Sequence, residues 1–105
     1  MSNTIIKEKH FLILLLSTEK DQARALLETV TNTQINALSE IIYNCQHLSL
    51  SKKATILFRR RKKYLSKLSN KSLSNNSKRY LIGKHYRQLL DTLISIKNKL
   101  IELLQ

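Results

Sequence analysis

Apolar residues recur along most of the chain at spacings of three and four, the spacing of one face of an α-helix. The pattern predicts a first helix from about Thr4 to Leu16. Its second half is apolar on nearly all sides, so we expect the other helices to surround it. Thr18 with Asp21, and then Thr31 with Gln34, have the spacing of a capping box. These pairs predict the starts of a second and a third helix.

The second half of the chain predicts further helices joined by short polar turns. Ser51 can cap a fourth helix that ends near Leu68, and Ser74 can cap a short fifth helix. Gly83 marks a break or a bend before a last helix that continues to the C-terminus. With one glycine and no proline, the chain lacks the usual signals of β-hairpins and long loops. We therefore expect an all-α fold, a compact bundle of five or six short helices with a long C-terminal helix, forming a single domain.

The fourth predicted helix separates an apolar face from a basic face. At 100° per residue, the apolar side collects Ala54, Leu57, Phe58, Tyr64, Leu65 and Leu68. The opposite side collects Lys52, Lys53, Arg59, Arg60, Lys63 and Lys67. Arg61 projects from the middle of the apolar side, so it either extends past the edge of the core or pairs with an acid such as Glu40.

Basic residues are concentrated in the same part of the chain. Thirteen of the 19 Lys and Arg residues lie between positions 41 and 90, where there is no Asp or Glu, and the formal net charge is +12. A localised field of this sign attracts polyanions, of which nucleic acid is the commonest. We expect contacts with nucleic acid, in the first place double-stranded DNA, from Lys52, Lys53, Arg59, Arg60, Lys63, Lys67, Lys78, Arg79, Lys84 and Arg87. The alternative is a solvated face without a ligand, although such faces usually mix both signs of charge.

The charge pattern leaves several partner classes open. Phosphate contact is favoured over sequence-specific recognition, because the fourth helix has few Asn or Gln side chains to read base edges. An acidic viral or host protein could instead dock on the basic face. A membrane surface fits less well, since separate apolar and basic faces on this helix suit a bundle. Tyr43, Tyr64 and Tyr80 could stack on single-stranded bases, but partly buried tyrosines with their hydroxyls in water are the favoured interpretation.

The last predicted helix carries a long apolar stripe, formed by Leu89, Leu93, Ile96, Leu100 and Leu103. A second row widens it, formed by Leu90, Ile94, Ile101 and Leu104. So broad a stripe is typical of the central helix of a bundle, and it is wider than a coiled-coil seam requires. A homodimer that uses the surplus apolar surface stays open as an alternative.

The sequence offers little for catalysis or for a cofactor. No two of the seven acids form a convergent pair, and His10, His47 and His85 lack the spacing of metal ligands. The one cysteine, Cys45, lies at a core position of its helix. The longest apolar run is six residues, against the roughly 18–20 that span a membrane. We expect a non-enzymatic, intracellular protein that is not secreted and binds no metal or cofactor.

Several short motifs, in order between about Leu12 and Leu90, resemble a family of small basic proteins. They are QARALL at 22–27, Thr29, Thr31, Gln34, ALSEI at 37–41, Asn44, LS at 50–51, KSLS at 71–74 and KRYLI at 78–82. The family is encoded by Polinton/Maverick-type DNA elements and adintovirus-like viruses, and it is similar to the adenovirus core-peptide precursor known as protein X, or mu. The resemblance implies a protein without catalytic residues that packages genomic DNA in a virion core or in the host nucleus.

Overall fold

Helices account for most of the described chain. The computed structural model describes residues 3–104, except the side chain of Leu103. Within these residues there are nine helical segments and no strand. They are α1 (Asn3–Lys7), α2 (Lys9–Ser17), α3 (Lys20–Glu28), α4 (Asn32–Cys45), α5 (Lys52–Arg60), α6 (Lys62–Ser69), α7 (Asn75–Lys84), α8 (Tyr86–Ser95) and α9 (Lys97–Leu104). The all-α prediction is therefore confirmed.

Four single residues bend longer helices rather than end them. Glu8, Arg61, His85 and Ile96 have φ between −122° and −100° and ψ between 13° and 34°. The amide four residues beyond each bend still donates to the carbonyl of the bend residue, at 2.9 to 3.2 Å. The segments described above thus form five helical stretches, which curve around the core as long helices commonly do. The last stretch, over residues 75–104, joins the predicted fifth and sixth helices.

Side-chain caps explain where three of the predicted helices begin. Thr31 and Gln34 form a capping box at the start of α4, and the Gln34 amide donates to Thr31 Oγ1 at 3.1 Å. The hydroxyls of Ser51 and Ser74 each accept from the amide three residues later, at 3.2 Å, at the starts of α5 and α7. Each hydroxyl satisfies an amide that has no partner within its own helix.

The capping box predicted at Thr18 is wrong. The N-cap of α3 is Glu19, which makes no side-chain cap hydrogen bond. The Thr18 hydroxyl donates instead to the side-chain oxygen of Gln22. The second helix therefore begins one residue later than the motif predicts.

Helix α4, not the first helix, lies at the centre of the fold. Buried apolar residues from every helix described above form one cluster, and α4 packs against α1, α6 and α7. Its side chains Ile35, Leu38 and Ile42 are fully buried. The expectation that other helices surround the first one is wrong, since Ile6 of α1 and Leu14 of α2 are 57% and 52% exposed.

The apolar stripe of the C-terminal stretch belongs to this core. Leu89, Leu93, Ile96 and Leu100 are each at most 4% exposed, while the side chain of Leu103 lies outside the described residues. These four side chains are therefore not available as a dimerisation surface in the folded chain. The physical reason is that one chain already covers them with its own helices.

Gly83 lies inside α7 rather than at a break. The helix ends at Lys84, and the bend follows at His85. Among the described residues no glycine has a positive φ, and a Cβ placed on Gly83 meets no atom within 4 Å. The predicted break or bend is present as a bend, but it lies two residues later, at His85. Gly83 itself serves no turn and weakens an exposed helical position.

Gly83→Ala is expected to raise the free energy of unfolding by about 0.5–1 kcal/mol, since alanine loses less backbone entropy in a helix. Urea denaturation of the two proteins measures the difference. Ala25→Gly, at an exposed position of α3, is the reverse control and should lower the free energy by a similar amount. A loss of stability in Gly83→Ala would contradict the helical conformation at this residue.

Candidate nucleic-acid interface

The six basic residues predicted for the fourth helix share one exposed surface. They lie on α5 and α6, which meet at the bend at Arg61. The opposite side of these helices is buried at Ala54, Leu65 and Leu68, which turns the basic side toward solvent. All six are exposed, and we call them the basic face: Lys52, Lys53, Arg59, Arg60, Lys63 and Lys67.

No acid pairs with the basic face among residues 3–104. The ion pairs within this range use other cations, and they join Lys20 to Asp91, Arg24 to Glu28, and Arg61 to Asp91. Members of the basic face also follow one another at four-residue spacing, where like charges repel by a few tenths of a kcal/mol. An anionic ligand would relieve this repulsion.

Lys78 is buried and does not belong to the interface. It is 4% exposed, and its Nζ donates to Ser39 Oγ at 3.2 Å where α7 packs against α4. Burial lowers the pKa of Lys78 from its usual value, because desolvation penalises the charged form. The prediction of a phosphate contact here is wrong, since Lys78 lies on the same side of α7 as the core residue Ile82.

Lys78→Met is expected to raise the free energy of unfolding at neutral pH by about 1 kcal/mol, because an apolar chain of similar length replaces a buried charge. The gain should shrink as the pH rises toward 10.5, the ordinary value for this amine. In that window the unfolded chain holds more protons than the folded one, so rising pH stabilises the wild type.

Denaturant unfolding at neutral and alkaline pH measures the gap between Lys78→Met and the wild type. Lys71→Met, at an exposed position in the α6–α7 turn, is the control and should show no such pH-dependent gap. A gap for Lys78→Met that stays constant with pH would contradict the buried charge.

Arg79 links two parts of the fold instead of facing solvent. Its Nη1 donates to the carbonyl of Val30, and its Nη2 donates to Oδ1 of Asn32 at 2.7 Å. The guanidinium therefore ties α7 to the α3–α4 connection and to the first residue of α4. Hydrogen bonds from a charged group contribute roughly 1.5–3 kcal/mol, and a phosphate would have to compete with them. We therefore remove Arg79 from the interface.

Arg61 also has a structural role. Its side chain is 18% exposed, and its Nη2 lies 3.9 Å from Oδ2 of Asp91. Nη1 donates to the carbonyl of Gln88 at 3.3 Å and to Oγ1 of Thr92 at 3.4 Å. The acid that pairs with Arg61 is thus Asp91 and not Glu40, and the contact joins the α5–α6 bend to α8.

Arg87 is exposed, but its neighbours are acidic. Its Nε donates to Oη of Tyr86 at 3.2 Å. This hydrogen bond and the negative charges of Asp21 and Asp91 raise the pKa of Arg87. Mixed charge attracts a polyanion less than the basic face does, so we do not count Arg87 among the phosphate contacts.

Besides Arg87, three exposed cations between positions 41 and 90 lie outside the basic face. Lys84, which the sequence predicts, lies at the end of α7. Lys62 and Lys71 are exposed as well, and the sequence prediction misses them. Lys62 falls to one side of the basic face at 100° per residue, while Lys71 lies in a turn where no periodicity applies.

A groove runs beside the basic face. It has a volume of about 360 Å³, and Arg59 and Lys62 contribute to its lining. Its apolar lining comes from Leu48, Leu50 and Phe58. The sequence gives no signal for this groove, because it forms where the α4–α5 connection meets α5.

The tyrosines differ sharply in exposure. Tyr64 is buried, its Oη donates to the carbonyl of Leu81 at 3.3 Å, and burial raises its pKa. Tyr43 is 49% exposed and Tyr80 is 64% exposed. The interpretation as partly buried tyrosines with their hydroxyls in water fits the burial of Tyr43. It is wrong for Tyr64, which is buried with its hydroxyl bonded within the protein, and for Tyr80, which is largely exposed.

Among the described residues, no group of three or more His, Cys, Asp or Glu could hold a metal ion. Cys45 is buried in the core, and burial raises its pKa to about 11. In the same part of the chain, no helix has both the length and the apolar character needed to cross a membrane. Comparisons with models of protein families, with curated proteins and with solved structures find no match.

Proposed function

We propose that the protein binds nucleic acid, in the first place double-stranded DNA, by neutralising backbone phosphates with its basic face. The observation that carries the proposal is a surface of six exposed cations that has no acidic partner within residues 3–104. A field of one sign on a folded surface attracts polyanions and costs some stability when unoccupied. The proposed role is binding and involves no catalysis.

The binding is proposed to be independent of base sequence. Contacts from Lys and Arg to phosphates position a protein on DNA but carry no sequence information. Helices α5 and α6 contain no Asn or Gln, the amides that commonly read adenine edges. Any duplex should therefore bind about equally well.

Fluorescence anisotropy with two unrelated duplexes tests the proposal. If all six cations contact phosphates, the logarithm of the binding constant should fall with the logarithm of salt concentration at a slope of about −5. We expect both duplexes to bind in the micromolar range or tighter at physiological salt. Absence of binding at low salt, or an affinity that does not change with salt concentration, would overturn the proposal.

We further propose that this activity serves a core or genome-packaging protein of a virus or transposable element, in the virion core or the host nucleus. Two observations support the role: the uncompensated charge of the basic face and the resemblance of residues 12–90 to the protein-X-like family. Addition of the protein to plasmid DNA should then compact it, which light scattering and nuclease protection measure. Binding without any compaction would count against packaging.

Docking of an acidic protein is a second candidate. The observation that favours it is the groove beside Arg59, whose apolar lining a phosphate backbone does not need. An acidic peptide with one apolar side chain would use both the cations and the groove. Leu48→Gln, at a partly exposed groove position, should weaken binding of such a peptide and leave duplex affinity unchanged. Equal peptide affinity in the variant and the wild type would show that the groove does not bind the peptide.

A further inference from the structure

Tyr80 presents its ring to solvent on the surface of α7. At 64% it has the largest exposed fraction of any large hydrophobic side chain in the described chain. Its neighbours on the same helical face, one turn away on either side, are Asn76 and Lys84, both exposed. A large aromatic side chain this exposed makes no contribution to the core, so it is free to contact a ligand.

Tyr80 borders a groove that connects to the basic face. We call it the Tyr80 groove; it has a volume of about 470 Å³, and its lining includes Lys67, Asn70, Leu73, Asn76, Tyr80 and Leu81. This volume lies within the roughly 300–1,000 Å³ of ordinary small-molecule sites. Lys67 is also a member of the basic face, so the two surfaces are continuous.

The groove combines the groups that hold one nucleotide. Leu73 and Leu81 provide apolar lining for a base. The side-chain amide of Asn76 can hydrogen-bond the edge of the base, and so can the NH2 group of Asn70, whose Oδ1 already accepts from the backbone amide of Ser72 at 2.9 Å. Lys84 Nζ lies 5.7 Å from the Tyr80 ring centroid, within the range of a cation–π contact, and can also reach an adjoining phosphate. No acid occurs between positions 41 and 90 to oppose a phosphate here.

The Tyr80 side chain is 64% exposed even though Lys84 Nζ lies over its ring, so part of the ring stays accessible. Gly83 lies one turn beyond Tyr80 on the same side of α7, and a Cβ placed there would meet no atom within 4 Å. A side chain at position 83 could fold back over the ring, whereas glycine cannot. The second exposed tyrosine, Tyr43, lies on α4 with His47 at 5.1 Å between ring centroids, and it lines none of the grooves described above.

We propose that the Tyr80 groove holds an unpaired nucleobase stacked on Tyr80, with the flanking phosphates on Lys67 and Lys84. The proposal rests on the proposed function, because it extends phosphate binding by the basic face to single strands. A base within a duplex is stacked on its neighbours and cannot offer its face to a side chain, so this site recognises single-stranded nucleic acid. Stacking on an aromatic side chain depends little on base identity.

The test separates the base from the phosphate. It measures the affinity of the full chain for a short oligo-dT strand and for a strand of equal length built from abasic sites, which keeps the phosphates. The wild type should prefer oligo-dT by about five- to 150-fold, the effect of removing one stacked base. Tyr80→Ala should reduce the preference to less than about twofold, while Tyr80→Phe, which keeps the ring, should retain it.

Tyr43→Ala is the matched control, since it removes the other exposed tyrosine, and it should keep the wild-type preference. The proposal that the Tyr80 groove holds a stacked base would be overturned if Tyr80→Ala kept the preference for oligo-dT, or if the wild type bound both strands equally. Duplex affinity, measured with the same variants, should not change in Tyr80→Ala. If the wild type binds duplex DNA but shows no preference for oligo-dT, the proposal for the basic face stands and the proposal for the Tyr80 groove is overturned. If the wild type binds neither duplex nor single strands, both proposals are overturned.

Discussion

Duplex DNA affinity is expected to fall about a thousandfold at ~0.1 M salt when four residues in the middle of the basic face are changed to glutamine: Arg59, Arg60, Lys63 and Lys67. All four are exposed, and none has an acidic partner among residues 3–104. Each lost contact removes about 0.9 from the slope of log K against log salt, so the slope should change from about −5 to about −2. If the two lines meet near 1 M salt, this difference in slope corresponds to about three orders of magnitude in affinity at ~0.1 M.

A second quadruple variant separates local contacts from net charge. It changes four lysines outside the basic face to glutamine: Lys7, Lys9, Lys97 and Lys99. Both variants lower the formal net charge from +12 to +8, because each loses four positive charges (12 − 4). The Debye length at ~0.1 M salt is about 10 Å, so cations away from the contact contribute little. Equal losses in the two variants would mean that overall charge, and not the basic face, drives binding.

The sequence predicts the helix starts well wherever a cap involves only neighbouring residues. The hydroxyls of Thr31, Ser51 and Ser74 reach amides three positions later, and this geometry depends on nothing outside the helix. Thr18 has the same spacing and fails, because Glu19 takes the extended N-cap conformation instead. Local chemistry therefore indicates that a helix begins nearby, and competition between adjacent residues decides the position.

The bends at Arg61, His85 and Ile96 could not be predicted from local signals. None of them is proline or glycine, and the backbone hydrogen bonds continue past each one. They arise where a long helix curves around the core, which depends on packing between distant segments. The glycine at position 83, the usual signal for a break, lies in regular helix nearby.

The same distinction applies to the candidate interface. The basic face of α5 and α6 follows from helical periodicity, so its exposure could be predicted. Arg79 could not be excluded from the sequence, because its acceptors lie almost fifty residues earlier, at Val30 in the α3–α4 connection and at Asn32, which begins α4. Lys78 is an intermediate case: it precedes the core residue Ile82 by four positions, which places both on one side of α7. Periodicity therefore contained the signal for its burial, and the charge of the side chain obscured it.

Leu89→Ala is expected to lower the free energy of unfolding by about 2–5 kcal/mol, a large part of the roughly 5–15 kcal/mol of an ordinary domain. Leu89 is 0% exposed and lies in the core cluster with Leu93 of the same helix. Truncation removes apolar contacts and leaves a cavity that the surrounding helices fill only in part. Urea denaturation of the variant and the wild type measures the loss.

Ile94→Ala is the matched control, because Ile94 lies on the same helix but is 46% exposed. Its truncation leaves no enclosed cavity and should change the free energy of unfolding by less than about 1 kcal/mol.

The unfolding midpoint of the wild type should also be independent of protein concentration, since Leu89 packs within one chain. A dimer that depends on the C-terminal stripe predicts the opposite: a midpoint that rises with concentration and a Leu89→Ala variant that loses this dependence. The two measurements together therefore decide whether the stripe stabilises the monomer or joins two copies of the chain.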